Sequence, residues 1–140
     1  MIRDILAALA GIAIAVLIVF IATELNHTVY PPPPELDFSD PDALRPYIAT
    51  LPIGAFLLLM GGWVVGTFVG SVIAGRIGTA KPWVYPAIVG GLVFTATVAN
   101  LLAIPHPLWF SITALIGIVA SAWLANGVAV TGNSSRNPSV

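Results

Sequence analysis

The distribution of charge leaves this chain one class of fold. Of its 140 residues eleven are charged, five Lys or Arg and six Asp or Glu, and residues 5–23, 46–75 and 82–135 carry none. A helix of about 20 apolar residues crosses a hydrocarbon core of about 30 Å, and in lipid only a structure that satisfies its own backbone hydrogen bonds can cross. The first two runs are each long enough for one crossing. The third is more than twice that length and is interrupted by Ile104-Pro105-His106-Pro107, which makes it two. The expectation is therefore an all-α membrane protein: one domain, four transmembrane helices at about 5–24, 51–75, 82–103 and 108–130, packed as a compact bundle. An outer loop over 25–50 and a disordered tail over 131–140 complete it.

Composition agrees, with 58% hydrophobic and 8% charged residues where a soluble domain carries about 25% charge. The net charge of -1 gives no footprint for nucleic acid, and the absence of cysteine removes disulfides, thiolate nucleophiles and zinc-thiolate sites. Arg3 followed by an apolar run has the look of a signal peptide. That run is too long for an h-region and lacks a small-x-small cleavage site before Glu24, so it is read as the first span.

Orientation follows from the cations. Arg3, Arg76, Lys81 and Arg136 fall on one side of the four-span arrangement, while Arg45 lies in the first loop among Glu24, Glu35, Asp37, Asp40 and Asp42. The positive-inside rule makes the first side cytoplasmic, so the expected location is the inner (plasma) membrane with both termini inside. In the outer loop Pro31–Pro34 reads as a polyproline II spacer. A short interfacial helix should begin near Asp40, with Pro41 at its first position and Asp42 in its first turn.

Small residues at four-residue spacing form a stripe on each span. The second carries Gly62, Gly66, Gly70 and Ala74, and the first carries Ala7, Gly11 and Ala15. The third carries Ala87, Gly91, Thr95 and Ala99, and the fourth Thr113, Gly117, Ser121 and Ala125. Such stripes let backbones approach closely, which in lipid supplies most of the drive for helices to associate. The helix-packing residues expected from this are Gly11, Gly62, Gly66, Gly70, Ala74, Gly91, Gly117 and Ser121. The second span laid on the fourth at an offset of 55 pairs Pro52 with Pro107 and Gly62 with Gly117, a faint duplication of helical hairpins.

No ionisable residue falls at the middle of a span, and ion-coupled transporters and proton pumps need one there. Polar side chains gather instead at the outer rim: Glu24, Asn26, His27 and Tyr30, Tyr47, Asn100 and His106. Glu24, His27, Asn100 and His106 form the candidate outer cluster. Imidazole and carboxylate are common metal ligands, yet the reading taken is that each meets water, headgroups or loop carbonyls, with no metal, cofactor or catalytic residue. Asn100 has a further role open to it, an interhelical hydrogen bond. Trp63 lies halfway along its span, away from the interfacial belts where Trp belongs. It is either a packing residue beside the glycine stripe or a contact for an apolar ligand.

The segment His27–Pro32 with its acidic loop, the Gly62–Arg76 stripe ending in Ala74-Gly75-Arg76, and Ile104-Pro105-His106-Pro107-Leu108-Trp109 together resemble small four-helix integral membrane proteins of bacteria. That family carries no assigned activity, so the resemblance implies a fold and no residue role. Two function classes stand. One is a non-catalytic accessory or scaffold subunit, with the bilayer and another membrane protein or a second copy as partners. The other is an oligomeric passive pore or transporter for a small or apolar solute; an enzyme using His27 and His106 comes third.

Overall fold

A computed structural model describes residues 1–81 and 83–134, with side chains as far as Ala129. Five helices account for most of them: α1 (Ile2–Val29), α2 (Pro41–Thr50), α3 (Ile53–Ile77), α4 (Val84–Ala103) and α5 (Leu108–Ser134). No strand occurs among the described residues. Four of the helices, α1, α3, α4 and the 108–129 stretch of α5, are long and apolar enough to cross a membrane, and the protein is a multi-pass helical membrane bundle. The short helix α2 starts where expected. Asp40 caps it, its carboxylate accepting from the Asp42 N–H at 2.9 Å, with Pro41 at the first position. Pro46 is absorbed within α2, and the helix stops at Thr50, ahead of Pro52.

α1 is longer than the uncharged run that announced it. Its 28 residues span about 42 Å against a core of about 30 Å, so it extends beyond the apolar core and takes in Arg3 and Asp4 at one end and Glu24–Val29 at the other. α5 continues to Ser134, four residues past the expected boundary, and the rest of the expected disordered tail, 135–140, lies outside the described residues together with Arg136.

α3 is the hub, packing against each of the other three long helices, while α1 and α5 share no extended interface. The α1–α3 contact is antiparallel and very close. A Cβ placed on Gly11 would stand 2.5 Å from the Gly70 carbonyl oxygen, and one on Gly66 would stand 2.9 Å from that of Ala15. Gly62 faces the Ala22 methyl, and Ala74 the missing side chain of Gly11. α5 runs parallel to α3, with the Ser121 hydroxyl donating to the Val64 carbonyl at 2.7 Å, Gly117 against Val64 and Gly75 against Ala129. Gly11, Gly62, Gly66, Gly70, Ala74, Gly117 and Ser121 are thus packing residues within one chain.

Gly91 is not. A Cβ there would meet nothing within 4 Å, whereas one on its neighbour Gly90 would come 2.7 Å from the Ala122 methyl. The inward face of α4 is Tyr85, Val89, Gly90, Val93 and Thr97, and the small-residue row Ala87, Gly91, Thr95, Ala99 faces outward. Lipid does not penalise a small apolar residue, so the row of small side chains did not have to be the buried one. The match of α3 to α5 at an offset of 55 is mostly small residue to small residue, as chance in a Gly- and Ala-rich chain would give. Val64 beside Gly117 and Ser121, and Gly75 beside Ala129, put α3 and α5 side by side near the offset of 55, but a hub that touches every neighbour has no symmetric counterpart in α5.

The cationic end is tied together through Asp4. Its carboxylate accepts from the Tyr85 hydroxyl at 2.6 Å, the Thr79 hydroxyl and N–H at 2.7 Å each, and the Ala80 N–H at 3.1 Å, while Arg3 Nε donates to the Ile77 carbonyl. Tyr85 reaches this position by passing through the space beside Gly78 where a side chain would be. Arg3, Arg76 and Lys81 therefore lie at one end of the bundle, and α2 with its acidic loop at the other.

Candidate functional site

α1 and α4 touch near the cationic end, where a Cβ on Gly11 would lie 3.1 Å from a Val89 methyl, and part toward the α2 end. The gap between them is a cavity of about 600 Å³, within the range of small-molecule sites. Its α1 wall is Val16, Val19, Thr23 and His27; its α4 wall is Leu92, Val93, Ala96, Thr97 and Asn100; Leu59 and Trp63 of α3 close the back. Ile104 and His106 border one edge and Phe38 another, the Phe38 ring resting 6.2 Å from that of His27. From His27 to Val16 the wall runs about 16 Å along α1, roughly half the hydrocarbon core.

The periodicity of α1 decides which rim residues enter. Val16, Val19, Thr23 and His27 recur every three or four residues and share one helical face. Glu24, one residue past Thr23, is turned about 100° away, does not line the cavity and is exposed. Of the expected outer cluster, His27, Asn100 and His106 line the cavity and Glu24 does not. Among the described residues no group of three or more His, Cys, Asp or Glu is placed to hold a metal.

Each of the three polar groups is held differently. His106 stacks on Phe110, with centroids 5.0 Å apart and planes 25° from parallel, and its Nδ1 lies 2.9 Å from the Ile104 carbonyl oxygen. A carbonyl can only accept, so Nδ1 carries the proton and Nε2 is left as an acceptor. Burial pushes the His106 pKa below the ordinary imidazole value, against the smaller opposing effect of that hydrogen bond. Asn100 is half-buried on α4, and its carboxamide makes no hydrogen bond to another described residue. It does not form the interhelical bond open to it. Asn26 forms one instead, donating from Nδ2 to the Ala55 carbonyl at 2.6 Å while only 5% exposed. The Thr23 hydroxyl is spent on the Val19 carbonyl of its own helix.

Trp63 is a packing residue that also faces the cavity. Only 7% exposed, it packs at 5.4 Å from Phe110, which in turn meets Phe56 at 5.3 Å and Trp109 at 6.0 Å, and its remaining surface is the back of the cavity. At the rim Asp37 is held below the usual carboxylate range by the Ser39 hydroxyl and N–H. Arg45, the only cation of the α2 end among the described residues, is turned to Asp42 at 3.6 Å. Comparison with protein families, with curated proteins and with solved structures finds no match.

Proposed function

We propose that the protein is a non-catalytic membrane protein that holds the apolar part of a molecule dissolved in the outer leaflet. The cavity between α1 and α4 carries this reading. Its walls are aliphatic and aromatic, it extends about half the core, and two of its lining residues, Val16 and Leu92, are 55% and 46% exposed, as an opening toward lipid requires. The three cations at the far end support a cytoplasmic position for that end, and hence an outer-leaflet position for the cavity. With the family resemblance, the membrane proposed is the inner membrane of a bacterium.

The accessory-subunit reading loses part of its support, because the small-residue faces of α1, α3 and α5 are occupied by α1–α3 and α3–α5 contacts, while the row on α4 still faces outward. The contacts of α1, α3 and α4 at Gly11, Gly70 and Val89 leave no conduit there within one chain, so the alternative, an oligomeric pore or transporter, would need its conduit between copies. Native mass spectrometry of the protein extracted in mild detergent tests the proposal. One tightly retained apolar molecule per chain is expected, absent from the cavity-filling variant Ala96→Phe. Equal retention by both proteins, or none by either, would refute it.

A further inference from the structure

The rim of the cavity selects for a head group as well as an apolar chain. Resting on the proposed holding of such a chain, we infer that the occupant is an uncharged lipid alcohol, its hydroxyl seated between Asn100 and His106.

Three observations carry this. Among the described residues no Lys or Arg lines the cavity, so an anionic head group would enter a partly desolvated rim with no countercharge, which is costly. The adjoining loop makes that worse, because Phe38 follows an ionised Asp37 and comes two residues before Asp40, and Arg45, the one cation at that end among the described residues, is paired with Asp42. A cationic head group fares no better inside, since no carboxylate lines the cavity. The groups that do line it are neutral and complementary in one respect. His106 offers an acceptor at Nε2, its Nδ1 proton being committed to Ile104, and the Asn100 amide offers a donor that no other described residue uses. A hydroxyl donates once and accepts, so it satisfies both at the same time; an ester or ketone oxygen satisfies only the amide. The supply is the bilayer itself, through the lipid-facing opening beside Val16 and Leu92.

The test uses the full chain in phosphatidylcholine nanodiscs with Trp83, Trp109 and Trp123 replaced by Phe, so that Trp63 alone reports. Its fluorescence is quenched by chain-brominated diacylglycerol, by the same lipid acetylated on its hydroxyl, and by phosphatidylglycerol with the same chains. Saturable quenching by the diacylglycerol is expected at about tenfold lower mole fraction than by the other two, a difference of about 1.4 kcal/mol. Asn100→Leu and His106→Phe should each weaken it about two- to tenfold, and Ala96→Phe should remove it. Equal saturable quenching by all three probes, or a preference that survives both rim substitutions, overturns the head-group assignment and leaves the holding of an apolar chain standing. No saturable quenching by any probe removes both.

Discussion

His106 and Asn26 are polar side chains whose positions convert into measurable energies. The folded protein holds His106 neutral to lower pH than the unfolded chain does, because burial disfavours the imidazolium. The unfolded state then binds more protons in the interval just below the ordinary histidine value, and stability rises with pH there. The contribution is complete above about pH 6.5 and is lost as the pH falls through the depressed folded value. Thermal unfolding in detergent should therefore move to lower temperature between pH 7.5 and 5.5, and His106→Gln should flatten that dependence; an unchanged slope in the variant would place the titration elsewhere. Asn26→Leu removes the hydrogen bond to the Ala55 carbonyl, and interhelical bonds of this kind in membranes are worth about 0.6 kcal/mol and at most about 1.7. Urea or SDS titration of the variant should show a loss of that size, and a loss of several kcal/mol would mean that the α1–α3 seam as a whole depends on this residue. Asn26 was within reach of the sequence. It continues the face of Ala7, Gly11, Ala15 and Ala22, and only the assumption that α1 ended near Glu24 placed it at the interface, among water, headgroups and loop carbonyls.

The α3 and α4 stripes carry the same two signals, four-residue spacing and an unbroken uncharged run. On α3, which is packed on several sides, the spacing found a buried face; on α4, which is more open to lipid, it selected the outward one. Tyr85, Val89 and Val93 fill the interior beside Gly90, and hydropathy cannot separate a buried valine from one facing lipid. Neighbouring glycines thus make a sharp test. Gly90→Val must displace the Ala122 methyl and should cost about 1–3 kcal/mol through forced separation of α4 and α5. Gly91→Val faces open space and should stay within about 0.5 kcal/mol of the parent. Unfolding of the two variants side by side in the same detergent checks the assignment, and a larger loss for Gly91→Val would reverse the face of α4. The cavity was less legible than either stripe. Trp63, His27, Asn100 and His106 were each singled out, but that they line one space depends on how far α1 and α4 diverge, a quantity no single helix encodes.

At the scale of the molecule, the number of spans was set by where eleven charges fall, and the bundle reproduces it. The same charges give an expectation for the orientation. The chain crosses the core four times, so the start of α1 and the end of α5 lie together, as the Arg3–Ile77 and Gly75–Ala129 contacts require. That end holds Arg3, Arg76 and Lys81; the opposite end holds Arg45 among carboxylates. The bias of Lys and Arg in short loops, rather than net charge, governs insertion, and three cations against one favour the Arg3 end in the cytoplasm. Cysteines placed at the two ends read this out directly, because the natural chain has none. Pro33→Cys, in the exposed loop before α2, should react with a membrane-impermeant maleimide on intact cells. Ala80→Cys, in the exposed turn between α3 and α4, should react only after lysis, and a reporter fused after Val140 should be active in the cytoplasm. The reverse labelling pattern would invert the bundle, carry the cavity into the inner leaflet and change which lipids have access to it.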